Sequence, residues 1–288
     1  VIERQGRLGH GEFVKYQALG NDYLVVDAKT WPEAQEPRLA QKLCHRHLGV
    51  GADGVLVLLP PAPGCDANLA ILNPDGSVAE KSGNGLRIFA RALYDLGYVR
   101  EQQLTIGLDV GAVEAKLICD GQGEVEAIEV AMGHPASTCE AVGFLGTSED
   151  PLHTPLDVLG QTLHVALISM GNPHCVVFVD ALDTQMLRTL GPAIENHAHF
   201  RHRTNVQFAR VQSATHVDIL IWERGAGETA ASGSSSCAVA VAGHRRGLLG
   251  QTVMVTSPGG ALQIALNPST GVMLTGPCAP VCRGRWQA

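Results

Sequence analysis

Ser82 and Ser232 stand 150 residues apart, and each precedes a glycine at the mouth of an apolar run. The first loop reads Glu80-Lys81-Ser82-Gly83-Asn84-Gly85-Leu86-Arg87 and continues as Ile88-Phe89-Ala90-Arg91-Ala92-Leu93-Tyr94. The second reads Ala230-Ala231-Ser232-Gly233-Ser234-Ser235-Ser236-Cys237 and continues as Ala238-Val239-Ala240-Val241-Ala242. A helix opened by such a loop carries unpaired N–H groups and a partial positive charge in its first turn. Glycine there lets a ligand approach the main chain. Gly83, Asn84, Gly233 and Ser234 are therefore candidates to cradle a carboxylate. A single serine in this setting reads as a plain N-cap. The duplication favours a functional pair. If the two halves face each other, two hydroxyls and two helix N-termini enter one cleft, which suits proton transfer on two faces of one carbon.

A second group of residues could read a zwitterion. Glu223-Arg224 follows the strand-like run Val217-Asp218-Ile219-Leu220-Ile221-Trp222 and precedes Gly225. Arg suits bidentate carboxylate recognition and Glu suits an ammonium. Asn21, Asn73, Asn172 and Asn205 each read as turn residues. Together with Glu223 and Arg224 they make a polar set fit for a small-molecule amino-acid substrate. A dinucleotide reading of Ser82-Gly83-Asn84-Gly85 fails, because the third glycine and the downstream acid are missing.

The same offset recurs. Asn73 stands 150 residues before Glu223, and Gly20-Asn21 stands 151 before Gly171-Asn172. Two similar halves follow, and such a repeat governs the fold reading. The boundaries expected are residues 12–132, with 277–288 returning to that half, and residues 133–276. At 288 residues, each half is long enough to bury a core.

Strands are read at 13–17, 23–28, 55–59, 69–72, 104–106, 113–118 and 125–132. In the second half they are read at 162–169, 174–179, 205–210, 216–222, 252–256 and 262–266. Helical spacing covers Pro37 to His47, the run from Ser82 to near Gly97, a stretch near 183–190, and the run after Ser232. Residues 133–150 read as loop. Strands dominate, and the 33 Gly and 15 Pro fit many turns, so the class is α+β.

Composition excludes other classes. The net charge is −7 with no basic block, which leaves no footprint for nucleic acid. The longest apolar runs are strand-sized, so no membrane span is expected. The start, Val1-Ile2-Glu3-Arg4-Gln5-Gly6-Arg7, is polar and unlike a signal peptide; residues 1 to about 11 read as a processed remnant. The eight cysteines form no Cys-x-x-Cys and read as reduced and mostly buried, in a cytoplasmic protein. His45 and His47, and His197, His199 and His202, lack a carboxylate or thiol at ligand spacing, so no metal is expected.

Seven stretches stand in order along the chain: Lys15 to Asp22, Gly49 to Gly54, Asn73 to Ser77, Gly83-Asn84-Gly85, Met170 to Val177, Thr204-Asn205-Val206 and Glu223 to Thr229. On these stretches the chain resembles the diaminopimelate epimerase family from Phe13 to about Trp286. The resemblance implies two pseudo-symmetric halves, each a mixed barrel-like sheet around a central helix. It implies isomerisation at an amino-acid α-carbon with no cofactor, pyridoxal phosphate included. A homodimer is a compatible assembly. It also implies that Asn73, Asn172, Asn205, Glu223 and Arg224 contact the distal end of diaminopimelate, and Asn21 the reacting end. Family members carry a cysteine before each glycine loop; here Ser82 and Ser232 take those places as the catalytic candidates. Cys237 does not substitute, since its repeat partner is Arg87. Gly54 stands where a Gln contact is common. A serine hydroxyl is a far weaker base than a thiolate, so a neighbour would have to activate it. Lys81, Glu80, His174 and Glu228 are the candidates. The first reading is an epimerase-like isomerase, impaired or diverged by the two serines. The alternatives are a dehydratase or double-bond isomerase, or a non-catalytic amino-acid-binding relative.

Overall fold

The computed structural model describes residues 6–287. The chain divides into two compact units, Val1–Ala131 with Thr275–Ala288, and Met132–Leu274.

In the first unit, β1 (Glu12–Ala18) and β2 (Asn21–Asp27) form a hairpin, and β18 (Ala279–Arg285) returns to pair antiparallel with β1. Next come a 3-10 turn at Pro32–Gln35 and α1 (Pro37–Cys44). β3 (Val55–Leu59) runs parallel to β2 and antiparallel to β4 (Ala67–Leu72), which carries the short β5 (Val78–Ala79). β6 (Gln103–Leu108) runs parallel to β4, and β7 (Gly111–Cys119) and β8 (Val125–Gly133) follow antiparallel. This mixed sheet wraps α2 (Gly83–Asp95), in which every residue from Gly83 to Leu93 is buried. Its apolar residues fill the core, and its polar stripe of Asn84, Arg87 and Arg91 is buried with hydrogen-bond partners.

The second unit repeats the plan. A short helix, α3 (Cys139–Val142), precedes β9 (Thr154–Val158), β10 (Gln161–Ser169) and β11 (Pro173–Phe178). After α4 (Thr184–Glu195), β12 (Asn205–Ser213) runs parallel to β11 and antiparallel to β13 (His216–Glu223), which carries β14 (Gly227–Thr229). The buried helix is α5 (Gly233–Arg245), followed by β15 (Thr252–Ser257) parallel to β13, then β16 (Gly260–Asn267) and β17 (Gly271–Gly276). The two central helices end alike. Gly97 and Gly247 both take φ 71°, and their N–H groups donate to Tyr94 O and His244 O. Positive φ past a helix end is the glycine C-terminal stop. The class is α+β in two pseudo-symmetric halves, each a mixed sheet around a central helix.

Several local expectations are corrected. The helix read as Pro37–His47 stops at Cys44, because His45 is extended and its Nδ1 accepts the N–H groups of His47 and Leu48. The loop read at 133–150 contains α3. A further strand, β9, contains Pro155, which disfavours a strand reading from sequence; it pairs antiparallel with β10. β5, β14, β17 and β18 are further strands, short or Gly/Pro-punctuated, that lie outside the expected set. Residues 6–11 belong to the packed unit: Leu8 is 2% exposed, its N–H donates to Tyr98 Oη, and Arg283 donates to Gly6 O and Arg7 O. The reading of residues 1–5 lies outside the described residues. Four of the eight cysteines are buried, three are intermediate and Cys282 is exposed. No helix among the described residues is long and apolar enough to cross a membrane. No group of three or more His, Cys, Asp or Glu among them could hold a metal ion.

Candidate active-site loops

Ser82 sits between β5 and α2 with φ −138° and ψ 118°, the extended backbone of an N-cap. Its Oγ accepts the Gly85 N–H at 3.0 Å, and its carbonyl accepts the Leu86 N–H at 2.8 Å. Gly83 and Asn84 are left as the helix's donors without intrahelical acceptors. Both are buried, and Asn84 is only 5% exposed.

The fully buried Arg87 braces this loop from the helix side. It donates to Gly83 O at 3.1 Å and to Asn84 Oδ1 at 2.9 Å. Asn84 Nδ2 donates to Asn21 Oδ1 at 3.2 Å, and Asn21 Nδ2 donates to Asp53 Oδ2 at 2.8 Å. Asp53 is gripped in turn by Arg46 at 2.7 Å, which also binds Asp22. Burial works to raise the Asp22 carboxyl, but hydrogen bonds from Arg46 and Lys15 outweigh it and hold the group down at about 2. A run of charged and amide groups thus fixes Asn21 and Asn84 before any ligand arrives. Asn73 caps its own turn, with Nδ2 donating to Ser77 Oγ at 2.9 Å.

Tyr23 reaches the same serine. Its hydroxyl lies 3.4 Å from Ser82 Oγ. The absent side chain at residue 54 is explained here. A Cβ on Gly54 would meet Tyr23 Cε1 at 2.6 Å and Leu72 O at 2.7 Å. The ring fills the space that a longer side chain would need. Gly54→Ala is therefore expected to push both the ring and the Leu72 main chain aside and destabilise the fold by about 1–3 kcal/mol. Urea unfolding should show a lower midpoint at unchanged slope; an unchanged midpoint would mean that the ring moves without cost.

In the second unit, Ser232 caps α5 with φ −144° and ψ 125°, nearly the Ser82 geometry, but without a side-chain cap bond. Ser236 donates to Ser232 O through both its N–H, at 3.1 Å, and its hydroxyl, at 2.9 Å. Gly233 and Ser234 again present first-turn N–H groups. Ser232 is 5% exposed and Ser234 half-buried. Cys237, the repeat partner of Arg87, is fully buried.

Asn205 corrects the turn reading, since it heads β12 and is 6% exposed. Its Nδ2 donates to Pro173 O at 2.9 Å, and its Oδ1 accepts the Arg224 N–H at 3.0 Å. Its amide positions the Arg224 main chain. The exposed Arg224 donates from Nη1 to His202 O at 3.2 Å. Below this corner the buried Glu195 accepts from Gly225 N at 2.8 Å, Trp222 Nε1 at 2.8 Å and Arg203 Nη1 at 2.9 Å. Glu223, at the end of β13, is half-buried.

Three of the base candidates are engaged elsewhere. Glu228 is ion-paired with Arg188 at 2.7 Å. His174 is fully buried, with Nε2 2.9 Å from Asn172 Oδ1 and Nδ1 3.1 Å from Gln207 Nε2. Burial, resisted by the Gln207 bond and helped by the Arg224 charge, drives its pKa down to about 3, so it stays a neutral imidazole. Lys81 donates to Ala131 O at 3.1 Å. Sequence reasoning missed Tyr23, Glu195 and Gln207. Only Gln207 left a trace, as a polar residue inside the apolar run Val206-Gln207-Phe208-Ala209.

The family model described as diaminopimelate epimerase matches residues 13–138 and 166–280. The diaminopimelate epimerase of Moorella thermoacetica is 40% identical over 274 residues, covering 94% of this chain and 98% of its own. The chain belongs to the diaminopimelate epimerase family. The diaminopimelate epimerase of Desulfitobacterium hafniense agrees, at 41% identity over 95% of this chain and 97% of its own. The activity class is that of a diaminopimelate epimerase-like isomerase. Solved structures carry the fold further. A probable proline racemase from Agrobacterium radiobacter superposes with a TM-score of 0.70 at 16% identity, covering 96% of this chain and 92% of its own. A phenazine biosynthesis protein from Bacillus anthracis gives 0.66 at 17% identity, covering 96% and 99%. At these identities the likeness is one of fold.

Proposed function

We propose that this family member moves the α-proton of diaminopimelate between the LL and meso forms, on the route to lysine and peptidoglycan precursors. Ser82 and Ser232 would stand at the two proton-moving positions. The observation that carries this reading is the matched pair of serine-capped buried helices, within a family of diaminopimelate epimerases. The first-turn N–H groups of Gly83, Asn84, Gly233 and Ser234 suit the reacting carboxylate, where negative charge grows as the α-carbon loses its proton.

In the proposed step the α C–H bond breaks. Its electron pair passes into the carboxylate-stabilised carbanion, and one serine oxygen takes the proton. The other hydroxyl gives its proton to the opposite face. The resting pair is therefore one alkoxide and one hydroxyl. The chemistry uses protein groups alone, which matches the family's independence of pyridoxal phosphate. The alkoxide is the weak point of the scheme. It favours a second reading, in which the chain binds the amino acid with little or no turnover.

Heavy-water exchange decides between them. The α-proton of meso- or LL-diaminopimelate, followed by NMR, is lost at an enzymatic rate on the first reading and retained on the second. Binding has its own check. Arg224→Lys replaces a planar fork by a point charge, so affinity for diaminopimelate should fall about tenfold or more by calorimetry. Unchanged affinity would remove Arg224 from the ligand contacts.

A further inference from the structure

Four buried or half-buried side chains in the second unit form one chain of hydrogen bonds. Gln207 on β12 donates from Nε2 to Ser235 Oγ in α5 at 3.0 Å, and from the same nitrogen to His174 Nδ1 on β11 at 3.1 Å. His174 Nε2 meets Asn172 Oδ1 at 2.9 Å. Ser235, Gln207 and His174 are each 0% exposed, and Asn172 is half-buried.

With the Gln207 amide nitrogen turned toward Ser235 and His174, the direction of this chain follows from donor counting. An amide NH2 has two protons and no acceptor capacity, so its two partners must both accept. Nδ1 of His174 therefore carries no proton. A neutral imidazole then carries it on Nε2, which makes Nε2 the donor to Asn172 Oδ1. With its oxygen held there, Asn172 keeps Nδ2 for something else. Gln207 Oε1 has no partner among the described residues. Turning that amide over would reverse every bond in the chain. The ring is shut off from water, and the Arg224 charge adds to burial in keeping it neutral.

We propose that His174 is a positioning residue rather than a base: the directed chain from Ser235 through Gln207 and His174 holds Asn172 with its Nδ2 group presented as the donor to a carboxylate oxygen of the ligand. The ligand in this statement rests on the function proposed above. The direction of the chain does not.

Two measurements separate these. In protein carrying 15N-labelled histidine, one imidazole should be the Nε2–H tautomer at both pH 5 and pH 8, and Gln207→Met should shift its signals. An Nδ1–H tautomer, or a ring that takes up a proton between those pH values, overturns the chain without reference to any ligand. The binding arm uses meso-diaminopimelate and calorimetry. His174→Gln keeps an N–H donor toward Asn172 but cannot serve as a base, so affinity should stay within about threefold. His174→Leu and Gln207→Met should each weaken it about tenfold, the scale of one hydrogen bond to a charged group. Equal losses in His174→Gln and His174→Leu would overturn the positioning role. If the unmodified protein does not bind diaminopimelate, the ligand assignment falls with the proposed function, and the tautomer measurement alone decides the direction of the chain.

Discussion

Placing thiols at both positions, as Ser82→Cys with Ser232→Cys, should raise solvent exchange of the diaminopimelate α-proton by about a thousandfold or more. The argument is acidity. A serine hydroxyl ionises on the order of five units above a thiol, so forming its anion costs about 7 kcal/mol more. The sites themselves favour an anion. At residue 82 the side-chain atom already accepts the Gly85 N–H, and both residues cap buried helices whose N-terminal charge is positive. A thiolate there has a lowered pKa and is available near neutral pH. Each single variant should fall well short, because inversion needs a base on one face and an acid on the other. Isotope exchange of the unmodified protein, both singles and the double variant measures this directly. Ordinary turnover by the unmodified protein would show that a neighbour activates a serine. Glu80 would then be tested first, since Lys81, His174 and Glu228 are held in other bonds. An inert double variant that still binds diaminopimelate would instead move the dehydratase-like and binding-only readings ahead.

Asp95→Ala should cost about 3–5 kcal/mol of stability, the scale for removing one partner of a buried ion pair. Asp95 closes the C-terminal end of α2, accepting Arg91 Nε at 2.8 Å and Tyr16 Oη at 2.8 Å. The Arg91 side chain is 8% exposed and that of Asp95 15%. Removing the carboxylate leaves a guanidinium in the core whose one other hydrogen-bond acceptor among the described residues is the Val125 carbonyl, at 2.6 Å. It also strands the Tyr16 hydroxyl, itself 4% exposed within β1. A fall in Tm of roughly 10 °C is expected for a protein of this size. The double variant Arg91→Leu, Asp95→Leu should be more stable than Asp95→Ala, because no lone charge remains. If it unfolds as early as the single variant, packing rather than charge carries the effect. The stake is functional too, since the same helix bears Ser82 at its other end.

The internal duplication was legible in the chain because it is written in local chemistry. Ser82 and Ser232 are N-caps, Gly97 and Gly247 are left-handed stops, and the stretches between are rich in apolar residues that bury them. Local conformational preference and burial act through near neighbours, so a sequence records them. The α+β class and the family followed from these stretches and from the motifs around Gly20, Gly49, Met170 and Glu223. Edge and terminal strands such as β9 and β18 were hidden by Pro155 and Pro280, whose acceptance depends on which partner lies alongside.

Which polar residue does what was decided only by the tertiary structure. Asn205 reads as a turn residue, yet it heads β12, and both ends of its amide are bonded to the main chain at Pro173 and Arg224. His174 looked like a base, yet it is buried between Gln207 and Asn172. Gly54 looked like a lost contact, yet the Tyr23 ring occupies its space and brings a hydroxyl to Ser82. Glu195 gave no local sign at all, although it organises the corner beneath Arg224. In each case the deciding partner comes from another strand or helix. The direction of a hydrogen bond, the charge of an imidazole and the room for a side chain are set by what the fold places within about 3 Å.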